Sequence, residues 1–462
     1  MQTNPASYRD NSGFVFKQHD KVYRYIHPNY EPHYHQLMNS GLYDELVKNK
    51  RLIPHQEIAD TTVFNFTDGK VLLPEQIPFI SYPYEWSFDM LKDAALLTLQ
   101  IALAALKKEM ILKDATPFNV QFFNGKPIFI DTLSFENYEA GKPWIAYHQF
   151  SECFLAPLLL MHYCHPDTNK LFTVYPNGIP MDVLVSLLPK SSKWNMGTFL
   201  HVHLQAKFAQ RTQRAGKQNK KAGGENNFSK QKLELLLKGL ESFVQKLSPK
   251  KVKTTWDDYY TDTILGDDYL QAKTTLIRSF SNFIDFKTVI DLGANDGHFS
   301  LLFDENKHVI ATDADNNSIN QLYLTIKKES IPNILPLVND LTVPSPAIGW
   351  ANAERESITT RLKADLVLAL ALVHHLAIAK NVPLHFIADW LQPMGEHLII
   401  EFVPKEDEKV KLLLQNRKDI FDNYSLESFR SIFTGKYKIV REEKVGNTSR
   451  ILFLMTRKLW PC

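Results

Sequence analysis

The chain has 462 residues, of which 53 are Lys or Arg and 51 are Asp or Glu, so its formal net charge is only +2. This balance supplies no overall field for gripping nucleic acid or an anionic membrane, and we expect neither as a partner. The length predicts two domains, and the three cysteines lack the spacing of a disulfide framework. The N-terminus has no signal-peptide core and the apolar run 94–106 is interrupted, so we expect a soluble, cytoplasmic protein.

Residues 1–209 are predicted to form an α+β domain. Short apolar runs at 14–16 and 22–26 predict strands, and the runs 63–66 and 71–73 flank an Asp-Gly pair that is typical of a hairpin. The run 88–110 is rich in Ala and Leu, which predicts a long and mostly buried helix.

Polar side chains are predicted to meet at the open end of a second hairpin. An Asn-Gly pair at 124–125 is typical of a type I′ turn, and it sets the pairing of the two flanking strands. Counting outward from the turn brings Asn119 and Asp131 to one end, which Asp114 enters from the preceding loop. An amide and two carboxylates so placed suit a divalent cation or a substrate hydroxyl.

The spacing of Asp114, Asn119 and Asp131 resembles the catalytic loop and the metal-binding Asp of protein-kinase-like phosphotransferases. The resemblance implies a kinase-like N-terminal domain with a site that uses Mg²⁺ and ATP. The sequence departs from that family, because no glycine-rich phosphate loop precedes the helix and the nearest candidate for the strand lysine is Arg24. A vestigial site, or the turn chemistry of a plain hairpin, is the alternative, and we predict no metal site.

Residues 210–232 are predicted to form a basic, flexible linker. This stretch is polar, rich in Lys and Arg, and contains a Gly-Gly pair with almost no large apolar residue. The linker separates the first domain from a second one, which we predict to span residues 233–462.

The second domain is organised around the stretch 289–300, VIDLGANDGHFS. Asp291 is expected where a buried strand reaches solvent, Gly293 allows a sharp turn toward a ligand, and Gly297 allows close packing of the following helix. Asn295 replaces the central glycine of a dinucleotide-binding turn. The stretch instead resembles motif I of class I S-adenosylmethionine-dependent methyltransferases, which implies that these four residues border that cofactor.

Polar residues also end the next two predicted strands. Asp313 lies roughly 20 residues past the glycine turn, where a carboxylate accepts hydrogen bonds from ribose hydroxyls, and Asp315 is a nearby alternative. Asn339 and Asp340 occupy the place where the resembled family holds the adenine amino group, and a side-chain oxygen suits that donor.

His374 and His375 follow the fourth predicted strand of this domain. Because imidazole titrates near neutrality, either one is a candidate base for a hydroxyl acceptor. Either one could equally cap the next helix or orient backbone. The Asn-Pro-Pro-Tyr motif, which family members that methylate amides or exocyclic amines usually carry here, is absent, and this argues against such acceptors.

The last two predicted strands, 437–445 and 450–456, are joined by so short a link that they must be antiparallel. We therefore predict an α/β fold: a Rossmann-like, seven-stranded methyltransferase sheet with an antiparallel last strand, preceded by the α+β kinase-like domain. A dinucleotide dehydrogenase sheet would stay parallel.

The whole chain resembles bacterial methyltransferases of the host-specific nodulation protein A type, on the kinase-like front half and the stretches LALALVHHLAI and EFVPKED. This resemblance implies S-adenosylmethionine as cofactor and O-methylation of a hydroxylated small molecule or glycan. The alternatives are a bifunctional protein that also transfers phosphate and a non-catalytic nucleotide-binding module. The oligomeric state is not indicated by the sequence.

Overall fold

The computed structural model describes residues 2–8, 10–207, 228–252, 266–415 and 417–458. The chain divides into two compact units. Unit 1 comprises residues 1–252 together with 346–357, and unit 2 comprises residues 253–345 and 358–462. Most of the predicted linker 210–232 lies outside the described residues.

Unit 1 begins with an antiparallel sheet of five strands in the order β1, β2, β3, β5, β4. They are β1 (Gln2–Thr3), β2 (Gly13–Gln18), β3 (Lys21–Ile26), β4 (His55–Ile58) and β5 (Lys70–Pro74). The strands expected at 14–16 and 22–26 are confirmed, but the one expected at 63–66 is wrong. A 3₁₀ helix occupies Thr62–Phe64, because Asn65 adopts a φ of +63° and turns the chain. β5 pairs instead with β3 and with β4.

Two small antiparallel sheets of two strands each follow in unit 1. β6 (Met110–Leu112) pairs with β9 (Phe135–Asn137), and β7 (Val120–Phe123) pairs with β8 (Lys126–Phe129). The turn between β7 and β8 has a φ of +51° at Asn124 and +71° at Gly125, as a type I′ turn requires. The predicted pairing of this hairpin is therefore confirmed.

The longer helices of unit 1 are α1 (Glu31–Asn39), α2 (Leu42–Lys48), α3 (Phe88–Lys107), α4 (Ala156–Tyr163), α5 (Met181–Leu187) and α6 (Lys230–Gln245). Helix α3 is the long buried helix expected from its Ala and Leu content. Helix α6 packs against α3 and buries Leu233, Leu237 and Leu240 at helical spacing. Unit 1 therefore extends to Val252, past the predicted domain boundary at residue 232.

The segment 346–357 belongs to unit 1, although unit 2 precedes and follows it in the sequence. Ile348 of this segment is 7% exposed and lies in a cluster with Tyr82, Cys153 and Phe172. The guanidinium carbon of Arg355 lies 4.5 Å from the ring centre of Phe118. The segment thus completes a part of the unit 1 core.

Unit 2 is built on a seven-stranded sheet in the order β12, β11, β10, β13, β14, β16, β15. The strands are β10 (Thr288–Leu292), β11 (His308–Asp313), β12 (Ile334–Val338), β13 (Ala364–Ala369), β14 (Gly395–Phe402), β15 (Tyr437–Lys444) and β16 (Ile451–Arg457). β10 to β14 are parallel, and β16 is antiparallel to both of its neighbours. The predicted sheet and its antiparallel last strand are confirmed.

The longer helices of unit 2 are α7 (Asp267–Ser281), α8 (Asn316–Glu329), α9 (Leu384–Leu391), α10 (Glu408–Leu414) and α11 (Leu426–Lys436). The core of this unit lies between apolar strand residues and helix residues such as Ile277, Leu322 and Ile326. In the described ranges of the chain, no helix has the length and apolar character that a membrane span requires.

Candidate active site

Unit 2 has a pocket at the carboxyl ends of β10, β11, β12 and β13, where open parallel sheets bind their ligands. The turn after β10 forms one side. Gly293, with a φ of +74°, and Asn295, with a φ of +52°, both line the pocket. The backbone N–H groups of Gly293 and Ala294 donate to the carbonyl oxygen of Thr312 at 2.8 and 3.0 Å, which ties the turn to β11.

Gly297 supports this turn from outside the pocket. Its φ is +85°, and a Cβ atom added there would lie 2.4 Å from Cδ1 of Leu322 in α8. The expected close packing is therefore present, but its partner is α8. The chain just after Gly297 forms only a short 3₁₀ helix, Ser300–Leu302, where we expected a longer helix.

Asp313 lines the pocket at the end of β11. Its carboxylate accepts from the backbone N–H of Asn295 at 2.9 Å and from that of Asp315 at 2.8 Å. Burial raises the pKa of Asp313 to about 6. The alternative acid, Asp315, caps α8 by accepting from the N–H groups of Asn317 and Ser318, so it is occupied elsewhere.

Asn339 and Asp340 line the pocket beyond the end of β12. Asn339 is 3% exposed, and within the described chain neither its amide nitrogen nor its amide oxygen has a hydrogen-bond partner. Asp340 uses one oxygen to accept from the N–H and the hydroxyl of Thr342, at 2.8 and 2.7 Å. The free amide donor and acceptor of Asn339 fit an adenine edge, and the carboxylate of Asp313 fits ribose hydroxyls.

Asp291 departs from the position that the sequence suggested. It lies within β10, is 2% exposed, and does not line the pocket. Its carboxylate accepts from the hydroxyl of Ser300 at 2.7 Å, and burial raises its pKa to about 6. Asp291 therefore ties β10 to the chain at Ser300, after the turn.

The two adjacent histidines occupy different environments. His375 lines the pocket, whereas His374 is fully buried and does not. Burial, together with the charges of Arg450 and Lys409, lowers the pKa of His375 to about 4. Burial also lowers the pKa of His374 well below its ordinary value. Of the two candidates for the base, the structure therefore brings only His375 to the pocket.

The pocket residues that sequence reasoning missed include three with polar side chains, Tyr269, Lys273 and Arg450. Tyr269 and Lys273 lie one turn apart on α7, and Lys273 interrupts an otherwise apolar face of that helix. This interruption is the one signal that the sequence offered, because long charged side chains are rarely buried unless they are paired.

The polar cluster predicted in unit 1 also forms. Asp131 is bonded through Oδ1 to the guanidinium of Arg24 and to the N–H of Leu133 at 3.3 Å, and through Oδ2 to the hydroxyl of Ser134. Asn119 donates to that hydroxyl at 3.0 Å. The predicted meeting of Asn119 and Asp131 is thus observed, with Ser134 between them.

Asp114 lies beside this cluster. Its Oδ1 accepts from the side-chain amide of Gln149 at 2.5 Å, and burial, then the charge of Asp131, raises its pKa. In the part of the chain that the structure describes, no group of three or more His, Cys, Asp or Glu side chains is arranged to hold a metal ion.

One known protein is similar to this chain over nearly its whole length. The nodulation protein NoeA of Rhizobium meliloti (strain 1021) is 33% identical over 458 residues, which cover 98% of this chain and 95% of that protein. The chain belongs to the NoeA family. No protein-family model matches it. The sequence-based prediction of this relationship is confirmed.

Solved structures similar to this NoeA-family chain have low identity. The N-methyltransferase NodS from Bradyrhizobium japonicum WM9 is 12% identical, with a TM-score of 0.30 over 41% of this chain and 97% of NodS. A SAM-dependent methyltransferase from Aquifex aeolicus is 16% identical, with a TM-score of 0.31 over 44% of this chain and all of that one. The bifunctional kinase-methyltransferase WbdD is 15% identical, with a TM-score of 0.30 over 46% and 45% of the two chains.

Proposed function

We propose that this NoeA-family methyltransferase transfers the methyl group of S-adenosylmethionine to a hydroxyl of a small molecule or glycan. The observation that carries the proposal is the pocket of unit 2, where a buried amide with no protein partner in the described ranges lies near a carboxylate and an imidazole. Asn339 and Asp313 suit the adenine and ribose of the cofactor. His375 suits the acceptor hydroxyl.

The protein's share of the reaction is alignment, exclusion of water and proton transfer. When bound, the cofactor supplies a sulfonium methyl that an oxygen nucleophile takes, while the electron pair of the broken carbon–sulfur bond stays on sulfur. His375 accepts the proton that the acceptor hydroxyl releases. A pKa of about 4 keeps this imidazole unprotonated at neutral pH, which is the form that a base requires.

Titration with S-adenosylmethionine in a calorimeter tests the cofactor half of the proposal. We expect saturable binding to the unchanged protein and binding that is about 10- to 100-fold weaker in Asp313→Ala and Asn339→Ala, because each removes a hydrogen-bonding group from the pocket. Asp304→Ala, at an exposed position of the same unit, is the matched control and should bind normally. Binding that is equal in all four proteins would reject the proposed site.

Transfer from a labelled methyl donor into cell extract, followed by mass spectrometry, tests the acceptor half. We expect the label on oxygen of a hydroxylated small molecule or glycan. Label on nitrogen, or on nucleic acid, would reject the proposed acceptor. Normal cofactor affinity without transfer to any extract component would favour the non-catalytic binding module.

A further inference from the structure

Four charged side chains are buried together at one wall of the pocket in unit 2. Lys273, Glu401, Arg450 and Asp407 are 2%, 0%, 1% and 8% exposed. The two cations, Lys273 and Arg450, line the pocket, whereas the two acids do not. This wall of the pocket therefore consists of positive groups with negative groups behind them.

Short contacts pair each cation with an acid. Lys273 Nζ lies 2.6 Å from Oε2 of Glu401. Arg450 binds Asp407 through two parallel hydrogen bonds, from Nε at 2.8 Å and from Nη2 at 3.0 Å, and its Nη1 lies 3.8 Å from Glu401. Burial would raise the pKa of Glu401, but Lys273 and Arg450 hold it below its ordinary value. Two positive and two negative charges thus cancel.

Glu401 also joins two walls of the pocket. Its Oε1 accepts from the hydroxyl of Tyr269 on α7 at 2.8 Å. Its Oε2 accepts from the backbone N–H of Ala371 at 2.8 Å, in the turn that follows β13. An amide in place of this carboxylate keeps an oxygen for one of these bonds, so Glu401→Gln changes the charge and leaves the size of the side chain.

We propose that Glu401 and Asp407 neutralise the cationic wall so that the pocket accepts a positively charged sulfonium, and that they thereby set its preference for S-adenosylmethionine over S-adenosylhomocysteine. The inference rests on the proposed cofactor site. The two ligands share adenine, ribose and an amino acid end, and they differ at sulfur, which carries a positive charge in the first and none in the second. Buried charges at the pocket wall act on that difference, because their interactions are weakly screened by salt and water.

Single and double charge changes test this inference through the ratio of the two dissociation constants, measured by calorimetry. Glu401→Gln leaves an excess positive charge, and we expect the preference for S-adenosylmethionine to fall about tenfold. Lys273→Met leaves an excess negative charge, and the preference should rise about tenfold. The double variant restores neutrality and should return the ratio toward that of the unchanged protein.

Asp365→Asn is the matched control. Asp365 accepts from the backbone N–H groups of Lys287 and Thr288 at the other end of the sheet, so its loss should leave the ratio unchanged. Equal weakening of both ligands in Glu401→Gln, with no change in the ratio, would show that the network is only structural and would overturn the inference. If Glu401→Gln does not fold, as judged by near-ultraviolet circular dichroism, Asp407→Asn carries the same test with the same expected sign.

The inference and the proposed function fail in different ways. Absence of binding of either ligand to the unchanged protein rejects the cofactor site, and the inference falls with it. Saturable binding of both ligands, with the same ratio of dissociation constants in Glu401→Gln, in Lys273→Met and in the unchanged protein, supports the cofactor site and rejects the inference alone.

Discussion

The polar cluster of unit 1 and the pocket of unit 2 use their hydrogen-bonding atoms differently. In unit 1, both oxygens of Asp131 accept hydrogen bonds from Arg24, Leu133 and Ser134 of the same unit. In unit 2, the amide of Asn339 is buried with no protein partner for either atom among the residues that the structure describes. The chain itself supplies the hydrogen-bond partners of Asp131. The amide nitrogen and oxygen of Asn339 have no such partner among the described residues.

This difference separates a folded polar cluster from a ligand site. A buried polar group without a partner costs about 1–3 kcal/mol, so a chain that retains one in a pocket gains from a ligand that fills it. A divalent cation in unit 1 would instead have to displace Arg24 from Asp131. Three acidic or amide residues at suitable spacing were therefore a weaker sign of a binding site than one amide that the chain leaves unpaired.

The largest expected effect concerns catalysis in unit 2. His375→Ala removes the proposed base, and we expect kcat to fall about 100- to 10,000-fold with little change in the affinity for S-adenosylmethionine. His385→Ala, at an exposed position on α9, is the control and should leave kcat unchanged. Steady-state kinetics with the acceptor found in extract give the measurement, and an unchanged kcat in His375→Ala would remove this residue from the mechanism.

The next effect concerns the stability of unit 1. The side chains of Arg24 and Asp131 are 15% and 12% exposed, so removing either one leaves a mostly buried charge without its partner. We expect Arg24→Met or Asp131→Asn to lower the free energy of unfolding by about 3 kcal/mol, and the double variant to lose less. Urea unfolding measures this, and Asp20→Asn, in an exposed ion pair with Lys17, should change stability by less than about 1 kcal/mol.

The phosphotransferase alternative predicts a different behaviour of the same cluster. Mg²⁺ and ATP together would raise the melting temperature of the unchanged protein, and magnesium-dependent ATP turnover would disappear in Asp131→Ala. That result would mean that the Arg24–Asp131 pair opens for a ligand, and it would remove the contrast drawn between the two units.

A pH dependence of stability is expected from unit 2. The pKa of Asp291 is raised to about 6 in the folded chain, against about 3.9 for an unfolded Asp. The folded chain then binds more protons between these values, so stability should fall as pH rises from about 4 to about 6, by about 2 kcal/mol, and level off above. Denaturant unfolding at several pH values should show a smaller fall in Asp291→Asn, and an equal fall in both proteins would contradict the assignment.

The smallest effects are expected from one change made in each unit. Gly297→Ala adds a Cβ atom 2.4 Å from Leu322 at a φ of +85°, and we expect a loss of about 1–3 kcal/mol. Gly239→Ala, within α6, meets no described atom within 4 Å and should add about 0.5–1 kcal/mol. Thermal unfolding measures both effects. A loss of stability in both variants would contradict the conclusion that Gly297 is required and Gly239 is not.

The sheet of unit 2 could be predicted because its parallel strands are nearly continuous apolar runs and its last two strands are joined by a short link. Strand β4 of unit 1 was missed because its residues, HQEI, lack the apolar alternation that marks a strand. The apolar residues of helix α6 recur at helical spacing, as at Leu233, Leu237 and Leu240. The spacing alone does not tell on which unit such a helix packs.

Asp313 ends β11 and Asn339 follows β12, so their position at this edge of the sheet could be predicted from the sequence. His375 reaches the pocket from the start of a π-helix, beyond the end of β13 at Ala369. The ion pair of Lys273 with Glu401 could not be predicted, because 128 residues separate the partners and one sequence does not indicate which buried charges meet. The burial of Asp291 was also not predicted. The sequence does not show that β10 continues to Leu292, and this extra residue keeps Asp291 inside the sheet.

The segment 346–357 constrains how this chain can be divided or recombined. A single cut at the boundary after Val252 would separate Ile348 from Tyr82 and Phe172, against which it packs. A fragment ending at residue 252 lacks the segment 346–357, which completes its core. A fragment starting at residue 253 carries that segment without the unit 1 residues that bury it. Exchange of a whole unit 1 between relatives would therefore require three crossovers, after residues 252, 345 and 357.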